Sequence, residues 1–421
     1  MILVPFLKML GAIAGEMLNA FFVDYFFIFL YILIILFFRS QYQKYSELQG
    51  DIYGKPARSM REITEQIILT GLLAGFAASI FAVAAGITIE ADTVRYLFYI
   101  MCMMLLFDLR FVCISYAAGI LAAISLIFGY PDVNIPSLLG MVAILQFVES
   151  ALVYLSRKSD CIPVYIRHND EITGAFLIRR LWMIPIVFFT YMLQEGGASI
   201  ATGGWRPLLF NLSALRDGAY SLGLDCLVAV LCYSDIAITE HPDRKCVRSA
   251  FMLFCYSSVL MLFAVISINN AWAAYAGVVF CTAAHEGIHL YSKYAEKRGK
   301  PLYSAVRRGL RILDILPGSH AGLMGLKRGD IILSINNNDI QTDDGVREAL
   351  REFPVYTWIK VLGWDGRERT VEYRCYPGGY NSLGIITVPR EKEVTYNTGY
   401  FEHISILKDI VNRFRGMDRQ V

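Results

Sequence analysis

The residues whose spacing best suits chemistry lie in one apolar run, Ala271–Tyr291. His285, Glu286 and His289 occur there in the order HEGIH. On a helix this order places both imidazoles on one face, one turn apart, with the carboxylate beside them. Such a set can hold a zinc ion whose bound water attacks a peptide bond, with Glu286 as the general base. The alternative is structural: the three side chains form hydrogen bonds with neighbouring helices.

A zinc protease also needs a third protein ligand at a similar depth. Asp235, near the end of an apolar run, is the best candidate, and Asp225 is the second. Glu149 is a further ionisable residue inside an apolar run, and such residues are functional candidates by default. The implied metal set is therefore His285, His289 and Asp235. The structural alternative requires no cofactor and pairs these polar groups with one another.

The elements that must position these side chains are membrane helices. The chain is 56% hydrophobic and 18% charged, whereas soluble domains carry roughly 25% charged residues. Two of the apolar runs are shorter than the ~20 residues of a full crossing, so we expect about eight spans, give or take one. The runs are Ala20–Phe38, Gln66–Ile89, Tyr96–Phe107, Phe111–Phe128, Leu138–Leu155, Leu181–Leu193, Gly218–Ile238, Ser249–Ile268 and Ala271–Tyr291.

Net charge and cysteine usage exclude other classes of protein. A net charge of +2 is too small to indicate a nucleic-acid partner. The nine cysteines are scattered, contain no CxxC pair and lie mostly inside apolar runs. This usage is typical of small buried hydrophobic residues, not of a disulfide framework or a thiolate metal site.

Lys and Arg are divided unequally between the two sets of loops. By the positive-inside rule the basic set faces the cytoplasm of a multi-pass protein of the cell (plasma) membrane. Nine crossings then place the N-terminus outside and the C-terminal domain in the cytoplasm. The basic set contains Arg39, Lys44, Lys55, Arg58, Arg61, Arg110, Arg157, Lys158, Arg167, Arg179, Arg180, Arg244, Lys245 and Arg248, and the opposite set contains Arg95, Arg206 and Arg216.

From Val306 the pattern changes to that of a small soluble domain. RGLRILDI and GDIILSIN alternate like strands. Asp344–Phe353 is a short amphipathic helix, Asp365-Gly366 is the turn of a hairpin, and NSLGIITVP is a last strand. The run Leu316–Ile340, with its Pro-Gly-Ser turn and a Gly-Asp pair before a strand, resembles a PDZ domain of the bacterial type. The order of the elements resembles the permuted PDZ order.

The PDZ resemblance implies a groove that binds peptides of cytoplasmic or membrane proteins. In the permuted order the ligand loop comes last, and a peptide would add as an extra strand beside Ile385–Val388, under the short helix. Glycine in the loop lets the peptide backbone approach closely. The residues implied for peptide binding are Val346, Leu350, Leu383, Gly384, Ile385 and Ile386.

About eight spans followed by one cytoplasmic PDZ domain make the whole chain similar to the MinJ-type topological determinants of cell division. The resemblance implies a membrane scaffold without enzymatic activity that binds partner proteins and positions the division machinery. The local stretches that support it are Arg180-Leu181-Trp182 followed by Pro185, Gly203-Gly204-Trp205 with Pro207, and the basic loop His241–Arg248.

The HEGIH motif also gives a weaker resemblance to site-2 intramembrane metalloproteases, which likewise carry permuted PDZ domains. In that family the motif comes early, whereas here it lies in the last span and any aspartate ligand precedes it. Leu224-Asp225 is followed by Cys226 and not by the glycine of that family. His285 also lies about one and a half turns from the cytoplasmic end, where His and Glu reach interfacial water. A scaffold is favoured, and an intramembrane zinc protease using Glu286 is the alternative.

These predictions divide the chain into four parts. Residues 1–291 form a transmembrane domain of about eight to nine helices, and residues 292–308 form a basic connector that also contacts the lipid bilayer. Residues 309–390 form the PDZ-like domain, and residues 391–421 form a tail with an amphipathic helix. The predicted fold class is a polytopic α-helical membrane domain followed by a small α+β, permuted PDZ-like soluble domain.

Overall fold

The computed structural model of the protein describes most of the chain. The described residues are 3–53, 58–107, 109–159, 161–168, 171–193, 208–209, 220–352, 355–374 and 383–389. The predicted tail, residues 391–421, lies outside them.

Apolar helices make up most of the chain before residue 299. In the described part they are α1 (Leu3–Phe22), α2 (Tyr25–Tyr53), α3 (Met60–Ala85), α4 (Ala91–Phe107), α5 (Ile114–Phe128), α6 (Ile135–Leu155), α7 (Pro242–Ile266) and α8 (Ala271–Arg298). Among them α2, α3, α6 and α7 are long and apolar enough to cross a membrane. The predicted class, a helical membrane part followed by a small α+β domain, is confirmed.

Capping residues fix where the central helices begin and end. Ser59 and Glu62 form a reciprocal capping box at the start of α3, and Gly86 ends that helix in the left-handed conformation. Asn134 caps α6 by accepting a hydrogen bond from the Ser137 amide. The apolar composition of these helices then decides their burial between neighbours or against lipid.

Two of the predicted spans are wrong, because the chain forms long strands there. Leu181–Leu193 belongs to β2 (Glu171–Leu193), and Gly218–Ile238 corresponds to β3 (Tyr220–Ala237). The two strands pair antiparallel over their length. A strand that is buried on both faces reads as a continuous apolar run, which periodicity alone cannot separate from a helix.

The β2–β3 hairpin lies between two layers of helices. Ile184, Ile186 and Phe188 of β2 belong to the hydrophobic core formed with α5, α6, α7 and α8. The alternate residues Met183 and Val187 belong to the core formed with α1 and α2. Backbone in the β conformation is tolerated at membrane depth only where protein surrounds it, and this double burial meets that condition.

Helix α3 lies along the edge of β2 that faces away from β3. Gly71 and Gly75 approach so closely that an added Cβ would lie 2.0 Å from the Met183 carbonyl oxygen and 2.2 Å from that of Pro185. The Val187 amide donates to Ser79 Oγ over 2.8 Å. A proline fits this edge because it has no N–H that needs a partner.

Two shorter strands pair with the start of β2, next to the soluble domain. β1 (Ile162–His168) pairs with the start of β2. β4 (Tyr303–Ser304), inside the predicted connector, pairs with β2 at Thr173 and Gly174. The predicted connector 292–308 therefore contains the last turns of α8 and a strand of the membrane-part sheet.

The soluble domain has the order of elements that the sequence predicts. Its strands β5 (Leu310–Ile315), β6 (Ile331–Ile335), β7 (Asn338–Asp339), β8 (Tyr356–Leu362), β9 (Glu368–Arg374) and β10 (Ile385–Thr387) form one sheet, and its helices are α9 (His320–Leu323) and α10 (Asp343–Glu352). The strands lie in the order β10-β5-β6-β8-β9, with β7 beside β6.

The soluble domain and the membrane part share a hydrophobic core. Tyr303, Leu313, Ile386 and Val388 lie in the same buried cluster as the helices around the hairpin. Gly174 of β2 sits against Leu313, where an added Cβ would lie 2.4 Å from Cδ1. The soluble domain is therefore packed directly on the β1–β2 hairpin.

Candidate functional site

The groove between α10 and β10 is the candidate site of the soluble domain. It encloses about 220 Å³, which is less than the roughly 300–1,000 Å³ of small-molecule pockets. Five of the predicted residues line it, namely Val346, Leu350, Leu383, Ile385 and Ile386. The sixth, Gly384, lies in the adjoining loop.

Strand β10 has one paired edge and one edge that faces the groove. Gly384 accepts the Leu316 amide, and the Val388 amide donates to the Arg311 carbonyl, so these groups face β5. Ile386 pairs with Asp314 on the same side. Because backbone groups alternate in direction along an antiparallel strand, those of Ile385 and Thr387 face the groove. A peptide strand could bond to them.

The loop before β10 is held by contacts with the segment that contains Ser319 and Ala321. Gly384 has φ +71°, and a Cβ added there would lie 2.5 Å from the Cβ of Ser319. The Ala321 amide donates to the Leu383 carbonyl. Only glycine therefore fits this loop without displacing a neighbour.

Polar side chains connect the two walls of the groove at one end. Thr387 Oγ1 donates to Asp343 Oδ1 over 2.5 Å, which holds the end of β10 against the first turn of α10. Arg347, one turn further along α10, is exposed and also lines the groove. The walls further inside the groove are aliphatic, so the site favours an apolar side chain with polar contacts at one end.

The groove also has walls from the membrane part, which the sequence analysis did not anticipate. Ile52 at the end of α2 and Pro163 and Tyr165 of β1 line it. The Tyr165 hydroxyl donates to the Thr387 carbonyl oxygen over 2.7 Å. Tyr165 belongs to β1, and the packing of the soluble domain on the hairpin brings it to the groove.

Further contacts hold the soluble domain against the membrane part. Tyr53 Oη donates to Asp314 Oδ2 over 2.6 Å. Burial raises the pKa of Tyr53, and the adjacent Asp314 carboxylate raises it further, so the hydroxyl remains a donor. Asp314 also pairs with Arg328, and Tyr303 bonds to His241 Nδ1 over 2.9 Å. The groove is thus held in a defined position relative to α2 and β1.

The HEGIH residues lie in a different polar cluster among α5, α6 and α8, in which His285 is buried and Glu286 and His289 are partly buried. His285 Nε2 is 3.6 Å from Cys113 Sγ, and Glu286 accepts a 2.5 Å hydrogen bond from the Tyr116 hydroxyl. The rings of His285 and His289 have centroids 5.0 Å apart. Glu149, the other intramembrane acid, accepts a hydrogen bond from Gln146. The contacts of His285 with Cys113 and of Glu286 with Tyr116 join α8 to the start of α5, whereas the other two lie within one helix.

Asp235 lies in a second cluster, at the end of β3. Its carboxylate is 3.1 Å from Lys245 Nζ and accepts a 2.7 Å hydrogen bond from Ser292. Glu296 accepts from Lys245 over 2.7 Å and from the Ile238 amide. Burial favours the neutral form of Glu296, but the bonds from Lys245 and the backbone outweigh it and lower the pKa of the carboxyl.

The two aspartates predicted as possible third ligands lie far apart on β3. Ten residues separate them in the sequence, and a strand rises about 3.3 Å per residue, so they are about 33 Å apart. Asp225 pairs across the sheet with Phe188 and accepts from the Cys226 amide. In the part of the chain that the structure describes, no group of three or more His, Cys, Asp and Glu residues is placed to hold a metal ion.

Comparisons with known proteins agree with the architecture. A family model for the PDZ domain matches residues 311–361. The chain is 24% identical over 262 residues to the cell division topological determinant MinJ of Bacillus subtilis (strain 168), an alignment that covers 61% of this chain and 63% of that protein.

Two shorter matches point to the same family. They are the probable cell division topological determinants MinJ of Lacticaseibacillus paracasei and Lacticaseibacillus casei (strain BD-II), each 27% identical over 84 residues. These alignments cover 20% of this chain and 23% of each relative. The resemblance to MinJ-type determinants is confirmed, and the chain spans less than two thirds of the length of the relatives that it matches.

Proposed function

We propose that this MinJ-like chain is an integral membrane adaptor that binds partner proteins through the α10–β10 groove. The observation that carries the proposal is the backbone edge of β10 at Ile385 and Thr387, which faces the groove beside the aliphatic side chains of Val346 and Leu350. An extended peptide gains affinity from backbone hydrogen bonds at such an edge and specificity from side-chain pockets. The groove therefore suits a peptide segment of a partner protein.

We further propose that the adaptor acts in positioning the division machinery. Support comes from the similarity to proteins named as topological determinants of cell division. A membrane part tied to a peptide-binding domain suits such a role, because it confines the partner to the membrane surface. The test is imaging of a fluorescently tagged partner of the division apparatus in cells with and without this chain. Unchanged positioning of that partner would contradict the proposal.

The proposed topology places the soluble domain in the cytoplasm. Arg58, Ser159 and Arg180, from the segments predicted to face the cytoplasm, line one cleft of about 90 Å³, near the end of α2 that contacts the soluble domain through Tyr53. This proximity supports a common side for the basic segments and the soluble domain, and the positive-inside rule assigns that side to the cytoplasm. A reporter enzyme fused after Val421 should be active only as a cytoplasmic type. Activity of an exported reporter would overturn the topology.

No catalytic step is part of the proposal. Glu286 and Asp235 each have partners that fit a structural role, namely Tyr116 for the first and Lys245 for the second. We therefore propose that the chain works without a resident cofactor. Elemental analysis of the purified full-length protein tests this proposal, and one zinc ion per chain would contradict it.

The binding proposal is tested with a matched pair of variants. Ile385→Pro removes the N–H that faces the groove, whereas Ile385→Val keeps it with a similar side chain. The full-length chain in nanodiscs is used to select from phage that display random short peptides with free C-termini. Peptides enriched by the natural chain should bind Ile385→Val and fail to bind Ile385→Pro. Equal binding to both variants would place the site elsewhere.

A further inference from the structure

We propose that the Tyr165 hydroxyl is an intramolecular cap that competes with the partner peptide for the Thr387 carbonyl oxygen. The inference rests on the proposed peptide-binding function and adds a regulatory contact to it. Tyr165 belongs to β1 of the membrane-part sheet, whereas Thr387 belongs to β10 of the soluble domain. The partner peptide and the Tyr165 hydroxyl would therefore exclude each other at the Thr387 carbonyl oxygen.

The geometry places the cap on the ligand edge. Tyr165 Oη lies 2.7 Å from the Thr387 oxygen, and that oxygen points away from β5 because the neighbouring Val388 amide points toward it. An added peptide strand would donate a backbone N–H to the same oxygen. The tyrosine hydroxyl therefore occupies the position of one peptide amide.

The cap limits how much peptide the groove accepts in this arrangement. Thr387 lies two residues from Ile385, which is about 7 Å along a strand. Pro163, two residues before Tyr165 on the same face of β1, and Ile52 of α2 continue the wall. Only about two peptide residues fit between the Gly384 loop and the cap before Tyr165 must move.

The chemistry of the groove also restricts which peptides can displace the Tyr165 hydroxyl. The displacing residue must carry an N–H, so proline cannot replace the hydroxyl at that position. The aliphatic walls formed by Val346, Leu350 and Leu383 favour an apolar side chain next to the loop. The preferred ligand is an extended segment with an apolar residue at the Gly384 end and a residue other than proline opposite Thr387.

The β1–β2 hairpin is held firmly enough to present the cap. Tyr165 pairs with Gly174 of β2, and Gly174 packs against Leu313 of the soluble domain. The Tyr53–Asp314 hydrogen bond crosses the same interface outside the groove. Tyr53 therefore supplies a control, because its hydroxyl holds the two parts together without occupying the ligand edge.

The experiment compares Tyr165→Phe with Tyr53→Phe in the full-length chain in nanodiscs. Each variant loses one hydroxyl that crosses the interface. A peptide enriched by phage selection is then titrated against the natural chain and both variants. The cap predicts about fivefold tighter binding to Tyr165→Phe, the size expected when one hydrogen bond no longer competes. It predicts affinity close to that of the natural chain for Tyr53→Phe.

Three results would overturn the proposal, and they are distinguishable. Equal affinity of the natural chain and Tyr165→Phe, with binding still lost in Ile385→Pro, would remove the cap and leave the peptide site intact. An equal gain in both tyrosine variants would show a general loosening of the interface and no competition at Thr387. Failure of every variant to enrich any peptide would overturn the peptide-binding function itself, and the cap with it.

Discussion

Among the described strands, β2 and β10 each have an outer edge without a long strand partner, and the surroundings of these two edges differ. The outer edge of β2 lies against α3, whose Gly71, Gly75 and Ser79 fit closely against its backbone groups. The outer edge of β10 faces a groove, where the Tyr165 hydroxyl donates to the Thr387 carbonyl oxygen. An unpaired edge is a template for another chain unless it is covered. The first edge is therefore structural, and the second is available to a ligand.

The largest expected effect comes from disrupting the packing of α3 on the outer edge of β2. Gly75→Val would force a side chain into the Pro185 carbonyl, and overpacking against backbone costs about 3 kcal/mol or more. The variant should accumulate poorly in membranes and unfold at a much lower temperature. Gly287→Val in α8 is the control, because nothing lies within 4 Å of an added Cβ there. Equal stability of the two variants would contradict the close packing of α3 on β2.

A smaller effect is expected when one hydrogen bond of the covered edge is removed. Ser79→Ala leaves the buried Val187 N–H without its acceptor, which costs about 1–3 kcal/mol. Ser258→Ala is the control, since Ser258 is exposed and its hydroxyl bonds only within its own helix. Chemical unfolding in detergent should separate the two variants. If Ser79→Ala unfolds like its control, water or another group satisfies the amide.

The sequence anticipates the soluble domain better than the hairpin. Strand alternation, the Asp365-Gly366 turn and the glycine-rich PDZ run locate the strands and α10, since each signal is local. The hairpin was mistaken for helices because its residues are apolar on both faces. Pro185 in the middle of Leu181–Leu193 was the available signal, since proline disrupts the interior of a helix.

Contacts between residues that are far apart in the sequence could not be predicted from local sequence patterns. Tyr165 and Thr387 are 222 positions apart, and no local pattern predicts that they meet. The same holds for Asp235, which the motif spacing suggested as a metal ligand and which the fold places beside Lys245. Local motifs identify residue types well, whereas the partners of each residue depend on tertiary packing.

Acidification should weaken the cluster that holds the end of β3 beside Asp235. The pKa of Glu296 is lowered in the folded chain from an ordinary value near 4.5. Its contribution to stability is therefore complete above about pH 4.5 and is lost as the pH falls through the lower folded value. The unfolding temperature of the natural chain should fall below that pH more steeply than that of Glu296→Gln. Parallel curves would show that Lys245 does not depend on this carboxylate.

The smallest expected effect concerns the HEGIH cluster. Glu286→Gln retains an acceptor for the Tyr116 hydroxyl, so localisation and peptide binding should remain close to those of the natural chain. Fluorescence imaging of the tagged protein and titration of an enriched peptide measure the two properties. Loss of a proteolytic activity in this variant, with metal content near one per chain, would instead identify a zinc protease.

Hydrogen–deuterium exchange of the full-length chain in nanodiscs tests the difference between the two edges most directly. Exchange is measured at the amides of Ile385 and Thr387 and at those of Val187 and Phe189, with and without an enriched peptide. We expect slower exchange at the two β10 amides when the peptide is present, because they become hydrogen-bonded. We expect no change at the two β2 amides, which already have partners. Unchanged exchange at Ile385 and Thr387 under saturating peptide would contradict the assignment of β10 as the binding edge.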